Sequence, residues 1–166
     1  MKVIIGSVVK GFVLKSALKT HLEKQGHEVI DVGCHDTARF VKFPSIGQRI
    51  ARALREHPGA LAINCCGSGA GASLAAGKFK GVCAVCCESV QIARLLRVIN
   101  DANCLCMGES VVTPELACRM TDAFLGAKFQ DAPEIPAKVR AFWQEARDEI
   151  MDRGEEAGSR EIECLP

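Results

Sequence analysis

An alternation constrains this chain more than any other feature. Short apolar runs rich in Val, Ile, Ala and Cys take turns with longer stretches whose apolar residues recur every three or four positions. The first pattern reads as buried strand and the second as amphipathic helix. Val3-Ile4-Ile5 opens the series. Phe12, Leu14, Leu18 and Leu22 carry a helix that Gly26 ends. Residues 28–32 predict a second strand, closed by Gly33. After a polar loop over 34–43, Pro44 suits the first turn of a helix faced by Ile46, Ile50, Ala53 and Leu54. Residues 60–64 predict the third strand, and a glycine-rich turn leads into a small-residue helix through Ala76. Residues 81–86 predict the fourth strand, 88–97 a helix and 104–107 the fifth strand, ended by Gly108. Thr113 and Pro114 start a capped helix that runs to Leu125. A last helix lies within 133–152, with Val139, Phe142, Trp143, Ala146 and Ile150 on one face.

Strands that are apolar throughout must be covered on both faces. The expected fold is therefore α/β: a single-domain, Rossmann-like, doubly wound five-stranded parallel sheet with helices on both faces. The domain is expected over 1–152, with a charged tail over 153–166. In such sheets ligands sit at the carboxyl ends of the strands. That makes the loops 6–11, 64–71, 87–88 and 99–103 the candidate site.

Charge narrows the partners. The net charge of +1 argues against a nucleic-acid binder, because a phosphate backbone is held by excess positive charge. No apolar run approaches the ~20 residues that span a bilayer, so no membrane partner is expected. The opening Met1-Lys2-Val3-Ile4-Ile5-Gly6 is too short for a signal peptide and reads as a strand. A cytoplasmic, reducing setting is expected, in which the ten cysteines would be free thiols and not a disulfide framework. Cys83 and Cys86, followed by Cys104 and Cys106, have spacing that invites zinc. They lie in strand-like runs, where residues three apart face opposite sides, so they read as small buried hydrophobes. No metal and no cofactor are expected. The histidines are weak candidates: His21, His27 and His57 read as solvated, and His35 stands in the long loop after the second strand.

The loop after the third strand is the richest in chemistry. Asn64-Cys65-Cys66-Gly67-Ser68-Gly69-Ala70-Gly71 places two thiols at a strand end and then a glycine turn into a helix. Free backbone N–H groups there can cradle an anion, and a cysteine beside them can serve as a general base. A tight turn that merely needs glycine is the plain alternative. Adjacent strand residues point to opposite sides, so only one of the two thiols can face a ligand. The glycines are not the GxGxxG of dinucleotide binding, and Gly77-Lys78 lacks the Ser or Thr of a P-loop. Asn100-Asp101-Ala102-Asn103, just before the fifth strand, can offer amides to sugar hydroxyls or can simply be an Asn/Asp turn.

Taken together, these motifs resemble the ribose-5-phosphate isomerase B / galactose-6-phosphate isomerase family over about residues 1–130. The resemblance rests on the opening strand, Gly11-Phe12-x-Leu14-Lys15, and Gly26-His27-Glu28-Val29-Ile30-Asp31-Val32-Gly33. Phe43-Pro44, Cys66-Gly67-Ser68-Gly69-x-Gly71, Ala75-Ala76-x-Lys78, Asn100-Asp101-Ala102-Asn103 and Met107-Gly108 follow in order. It implies metal-free interconversion of an aldose and a ketose through a cis-enediolate. Cys66 would be the base, since Ala72 stands where one branch of the family has a glutamate. Ser68 would shuttle a proton or donate a hydrogen bond. The amides of Gly67, Gly69 and Gly71, with Ala70 between them, would hold the enediolate oxygen, and Asn100 a sugar oxygen. The resemblance also implies a homodimer or homotetramer with sites built from two chains. Phe142 and Trp143, displayed on the last helix, suit such an interface.

The chain departs from the family at the groups that hold and open the sugar. Val8-Val9-Lys10-Gly11 replaces Asp-His-Ala-Gly, and Ile99 replaces a ring-opening histidine. Ser110 replaces an arginine, and Asp131-Ala132-Pro133-Glu134-Ile135-Pro136 replaces a phosphate-binding cluster. Lys10 and Lys42 can supply substitute cationic contacts. Two functions remain open: an isomerase with altered substrate choice, for which ribose 5-phosphate is a poor substrate, and a non-catalytic sugar-phosphate-binding paralogue or partner subunit.

Overall fold

The apolar runs become strands and the periodic stretches become helices in a computed structural model that describes residues 1–152. β1 (Lys2–Ser7) leads through a 3-10 turn at Val9–Gly11 into α1 (Phe12–Lys24). β2 (Glu28–Asp31) and α2 (Phe43–Glu56) follow, then β3 (Leu61–Cys66) and the short α3 (Ala70–Ala76). β4 (Ala84–Cys86), α4 (Val90–Asn100), β5 (Cys104–Gly108), α5 (Pro114–Gly126) and α6 (Ala137–Asp152) complete the series. The charged tail expected over 153–166 lies outside the described residues.

The five strands pair in parallel in the order β2-β1-β3-β5-β4. Parallel neighbours need crossovers, and these place helices on both faces. Along each strand, alternate residues feed opposite cores. Val3, Ile5, Ile63, Cys65, Leu105 and Met107 pack with Leu14 and Leu18 of α1 and Met120 and Phe124 of α5. Ile4, Ala62, Cys66, Cys104 and Cys106 pack with Ile46 and Ile50 of α2 and Ala72 and Ala76 of α3. Each large side chain buried this way stabilises the fold by about 1.5–3 kcal/mol relative to exposure.

Boundaries shift where tertiary pairing overrides local signals. β3 extends through Cys65 and Cys66, because Ser7 pairs with Cys65 and Gly108 with Cys66. β4 is shorter than 81–86: Gly81 turns the chain at φ +78, and this edge strand has one pairing partner, β5. α2 starts at Phe43 with Lys42 as its N-cap, and α4 starts after Ser89. The Thr113 hydroxyl accepts the Leu116 N–H at 3.2 Å, the cap its sequence predicts.

Two expectations are corrected. The segment 99–103 does not reach the carboxyl edge beside Cys66. A parallel strand is entered at its amino end, so Asn103 lies at the amino edge, the far end of the sheet. Its Oδ1 accepts the Cys83 N–H at 2.9 Å and its Nδ2 donates to the Gly81 carbonyl at 2.7 Å, which is a turn-forming role. The apolar face of α6 is also not wholly bare. Phe142 is half exposed, but Trp143 packs with Val98, Ile99, Ala127, Ala132 and Ile135. Among the described residues, no helix is long and apolar enough to cross a membrane.

Candidate active site

β3 carries Cys65 and Cys66 to the carboxyl edge and points them to opposite faces. Cys65 is sealed under the α1 and α5 side, where burial, followed by the neighbouring Cys66, pushes its thiol well up from the ordinary range. Cys66 turns to the α2 and α3 side, and its Sγ accepts the Gly69 N–H at 3.0 Å. This hydrogen bond closes the turn on the sulfur. Gly69 sits at φ +84, and a Cβ there would lie 2.5 Å from the Cys86 Sγ. Only glycine meets both demands.

The turn is also clamped to the end of β5. A Cβ on Gly108 would lie 2.5 Å from the Ser68 carbonyl carbon, so the two backbones touch. The Glu109 N–H donates to the Cys66 carbonyl at 2.8 Å and the Ser110 N–H to the Gly67 carbonyl at 3.0 Å. With those carbonyls turned toward β5, the N–H groups of Gly67, Ser68, Ala70 and Gly71 have no acceptor among the described residues. They form a row of unpaired donors beside a sulfur that accepts a hydrogen bond. Asn64, buried beneath, ties α3 down by donating Nδ2–H to the Ala72 carbonyl at 3.4 Å.

Three side chains frame this turn. A Cβ placed on Gly67 would stand 3.4 Å from Cγ of Lys10, so the Lys10 stem lies over the turn. The Phe43 ring stands 3.5 Å from the corresponding point on Gly71. Cys86 approaches the Ser68 carbonyl at 3.6 Å, and burial, then the Glu88 carboxylate, pushes its thiol up. Ser68 and Ala70 are exposed, and Lys42 is exposed at the start of α2.

One chain thus brings together Cys66, Gly67, Ser68, Gly69, Ala70, Gly71 and Lys10, with Lys42 next to Phe43. It does not bring in Asn100. That residue ends α4, which runs from the carboxyl edge back to the amino edge, and it is exposed there. The Gly69 amide is directed at the Cys66 sulfur and not outward with the others. Sequence reasoning missed Glu109. Its Oε2 accepts the N–H groups of Val13 and Leu14 at 3.1 and 3.4 Å and caps α1. No local signal marks a cap supplied from 96 residues away.

The remaining sulfurs divide across the sheet. Cys83 packs on the α1 and α5 side, and Cys104 and Cys106, with Sγ atoms 3.8 Å apart, on the other. Among the described residues, no group of three or more His, Cys, Asp and Glu is placed to hold a metal ion.

An accepting sulfur beside unpaired N–H donors at a strand end suits proton transfer next to a developing oxyanion. A profile of the Ribose/Galactose Isomerase family matches residues 3–141. The chain belongs to this family. Two curated members are similar to it. The 4-deoxy-4-sulfo-D-erythrose isomerase of Clostridium sp. (strain MSTE9) is 39% identical over 131 residues, covering 79% of this chain and 82% of the relative. Ribose-5-phosphate isomerase B of Escherichia coli (strain K12) is 40% identical over 131 residues, covering 78% and 86%. Among solved structures of the Ribose/Galactose Isomerase fold, the ribose-5-phosphate isomerase B of Clostridium thermocellum aligns with a TM-score of 0.78 at 36% identity. That alignment covers 89% of this chain and 96% of the other.

Proposed function

We propose that this protein is an aldose–ketose isomerase acting on a short, open-chain sugar with an anionic terminus, with Cys66 as the base. The observation that carries this reading is the Cys66 turn, where a sulfur accepts the Gly69 N–H at 3.0 Å beside unpaired backbone donors. The Cys66 thiolate takes the C2 proton of the aldehyde form, and the electron pair moves onto O1. The amides of Gly67, Ser68, Ala70 and Gly71 stabilise the resulting enediolate oxygen. The same thiol returns its proton to C1, and Ser68 passes the hydroxyl proton between O2 and O1, which leaves the ketose. Family membership and the relatives' activities support this reaction class.

The open-chain form follows from Ile99. This side chain packs with Trp143 and Ile135 and carries no group that can move a proton to a ring oxygen. A tetrose substituted at C4 has no free C4 hydroxyl with which to close a five-membered ring, so it needs no ring opening. The relative that acts on 4-deoxy-4-sulfo-D-erythrose handles such a molecule. The assembly we propose is a homodimer or homotetramer in which Asn100 of a second copy completes the site. Asn100 is exposed at the amino edge and cannot fold back to Cys66 in its own chain.

The test is to incubate the purified protein in D2O with a panel of C4-phosphorylated and C4-sulfonated tetroses, pentose phosphates and uncharged aldoses. NMR then follows deuterium entering at C2. Fast exchange with the charged tetroses is expected. Absence of exchange with every sugar would make the chain a non-catalytic sugar binder.

A further inference from the structure

The first βα turn of a doubly wound sheet is the usual seat of a ligand's anionic group, at the helix N-terminus. Here that seat is taken, because the Glu109 carboxylate already caps α1 through the Val13 and Leu14 amides. A substrate phosphate or sulfonate there would meet a negative charge. Another cationic place exists on the same edge of the sheet. A pocket of about 260 Å³ lies beyond the carboxyl end of β2, lined by Gly33, Cys34, His35, Asp36, Arg39, Val41 and Arg49.

Charge and position both suit an anion. Arg39 and Arg49 outnumber Asp36, whose Oδ1 is engaged by the N–H groups of Ala38 and Arg39 at 2.9 and 3.0 Å. Arg49 is anchored by an Nη1–H bond to the Val32 carbonyl at 3.3 Å. Val41 and Lys42 lead from the pocket into the N-terminus of the 14-residue α2, where no side chain supplies a cap. Val32 and Val41 pack on the same apolar cluster as Cys66, so pocket and sulfur share one face of the sheet. The floor is fixed. Lys15, itself 2% exposed, donates from Nζ to both Asp31 oxygens at 2.8 and 2.7 Å and to the Cys34 carbonyl at 2.6 Å. The larger pocket, of about 340 Å³ between Lys2 and Ala60, opens at the amino edge, away from the sulfur.

The geometry points to the β2–α2 pocket as the subsite for the substrate's phosphate or sulfonate, held by Arg39 and Arg49. This assignment rests on the isomerase reading for its substrate. β1 lies between β2 and β3, so the two strand ends stand about two strand spacings apart, roughly 10 Å. An extended four-carbon chain with a charged end group is shorter than that span. The side chains of Cys66 and the two arginines, which reach past the strand ends, make up the difference, with the reacting carbons under Cys66. Lys10, on the 3-10 turn after β1, stands between the two. Arginine suits the task because its planar fork binds two oxygens of one anion.

The experiment has two arms. In the first, inorganic phosphate, and separately sulfate, is titrated into the full chain while NMR follows the arginine Nε–H resonances. Shifts in Arg39 and Arg49 that saturate, with binding weakened at least about tenfold in Arg39→Ala and Arg49→Ala, are expected. In the second, C2 exchange is measured with erythrose 4-phosphate and with 4-O-methyl-erythrose, an uncharged open-chain analogue. Each variant should raise KM for the phosphate by about tenfold to a hundredfold and leave the uncharged analogue unchanged. Exposed Arg39 makes its variant safe for folding, and the analogue reports on any damage in the Arg49 variant. Phosphate that shifts other arginines only, or an unchanged KM in both variants, would overturn the assignment. Phosphate bound at Arg39 and Arg49 with no exchange of any sugar would uphold the subsite and defeat the isomerase reading instead.

Discussion

At the scale of single residues, two adjacent thiols have opposite fates because a strand alternates its faces. Cys66 lies next to the glycine turn with a hydrogen bond on its sulfur, whereas Cys65 is sealed in the opposite core. Burial holds Cys65 as the neutral thiol, which is neither a base nor a nucleophile at neutral pH. Cys66→Ala is therefore expected to lower C2 exchange by at least about a hundredfold, the low end of what one positioned base contributes. Cys65→Ala should retain most exchange while losing some stability to the cavity it leaves. Iodoacetamide at pH 7 followed by peptide mapping should label Cys66 before Cys65. Preferential labelling of Cys65 would show that the functional register is off by one.

At the scale of elements, α6 is held by charge as well as by the apolar contacts of Trp143 and Met151. No residue of this helix is fully buried. Its Arg147 instead donates from Nε and Nη2 to Asp101 Oδ2 at 3.0 and 2.9 Å, while Arg97 of α4 donates to Oδ1 at 2.6 Å. Asp101 adopts the left-handed conformation at φ 50, which ends α4 just after Asn100. The clasp thereby fixes the helix end that presents Asn100. Asp101→Asn keeps the shape and tolerates the same backbone but leaves Arg97 without its counter-charge and Arg147 with Asp148 alone. A loss of about 1–3 kcal/mol is expected from urea unfolding, with faster amide exchange in α6 than in α1. An unchanged unfolding curve would mean that the apolar contacts of Trp143 suffice. The element boundaries that sequence reasoning misplaced, in β3 and β4, are those decided by cross-strand pairing and not by local periodicity.

At the scale of the whole molecule, the two ends of the sheet carry different parts of one proposed site. Cys66 and the β2–α2 pocket lie at the carboxyl edge, and Asn100 lies at the amino edge. A site that uses both requires a second copy. Light scattering at micromolar concentration should give a mass well above 17.8 kDa. A monomer mass would remove Asn100 from the chemistry. The same arrangement bears on substrate choice. On the family resemblance, phosphate-binding arginines are expected at positions where this chain has Ser110 and the segment with Asp131 and Glu134. Ile99 carries no group that can move a proton to a ring oxygen. Losing two charged contacts of about 1.5–3 kcal/mol each weakens binding by roughly two to four powers of ten. The kcat/KM for ribose 5-phosphate is accordingly expected below ~10⁴ M⁻¹s⁻¹, the low end for an enzyme with its own substrate. A higher value would show that the phosphate clamp and the ring-opening step are restored by other residues.

The sequence by itself determined the order of strands and helices, the two-sided burial of the sheet and the glycine turn after Cys66. These depend on the period of apolar residues and on glycine's backbone freedom, both of which act over a few positions. Only the tertiary structure decided which loops share an edge. It put Asn103 at the amino edge by the direction in which β5 is entered, and it brought Glu109 across 96 residues to cap α1. It also placed Arg39 and Arg49 on the same face as Cys66. Side chains that are far apart in the chain meet through strand order and crossover direction, and neither leaves a local periodicity to be read.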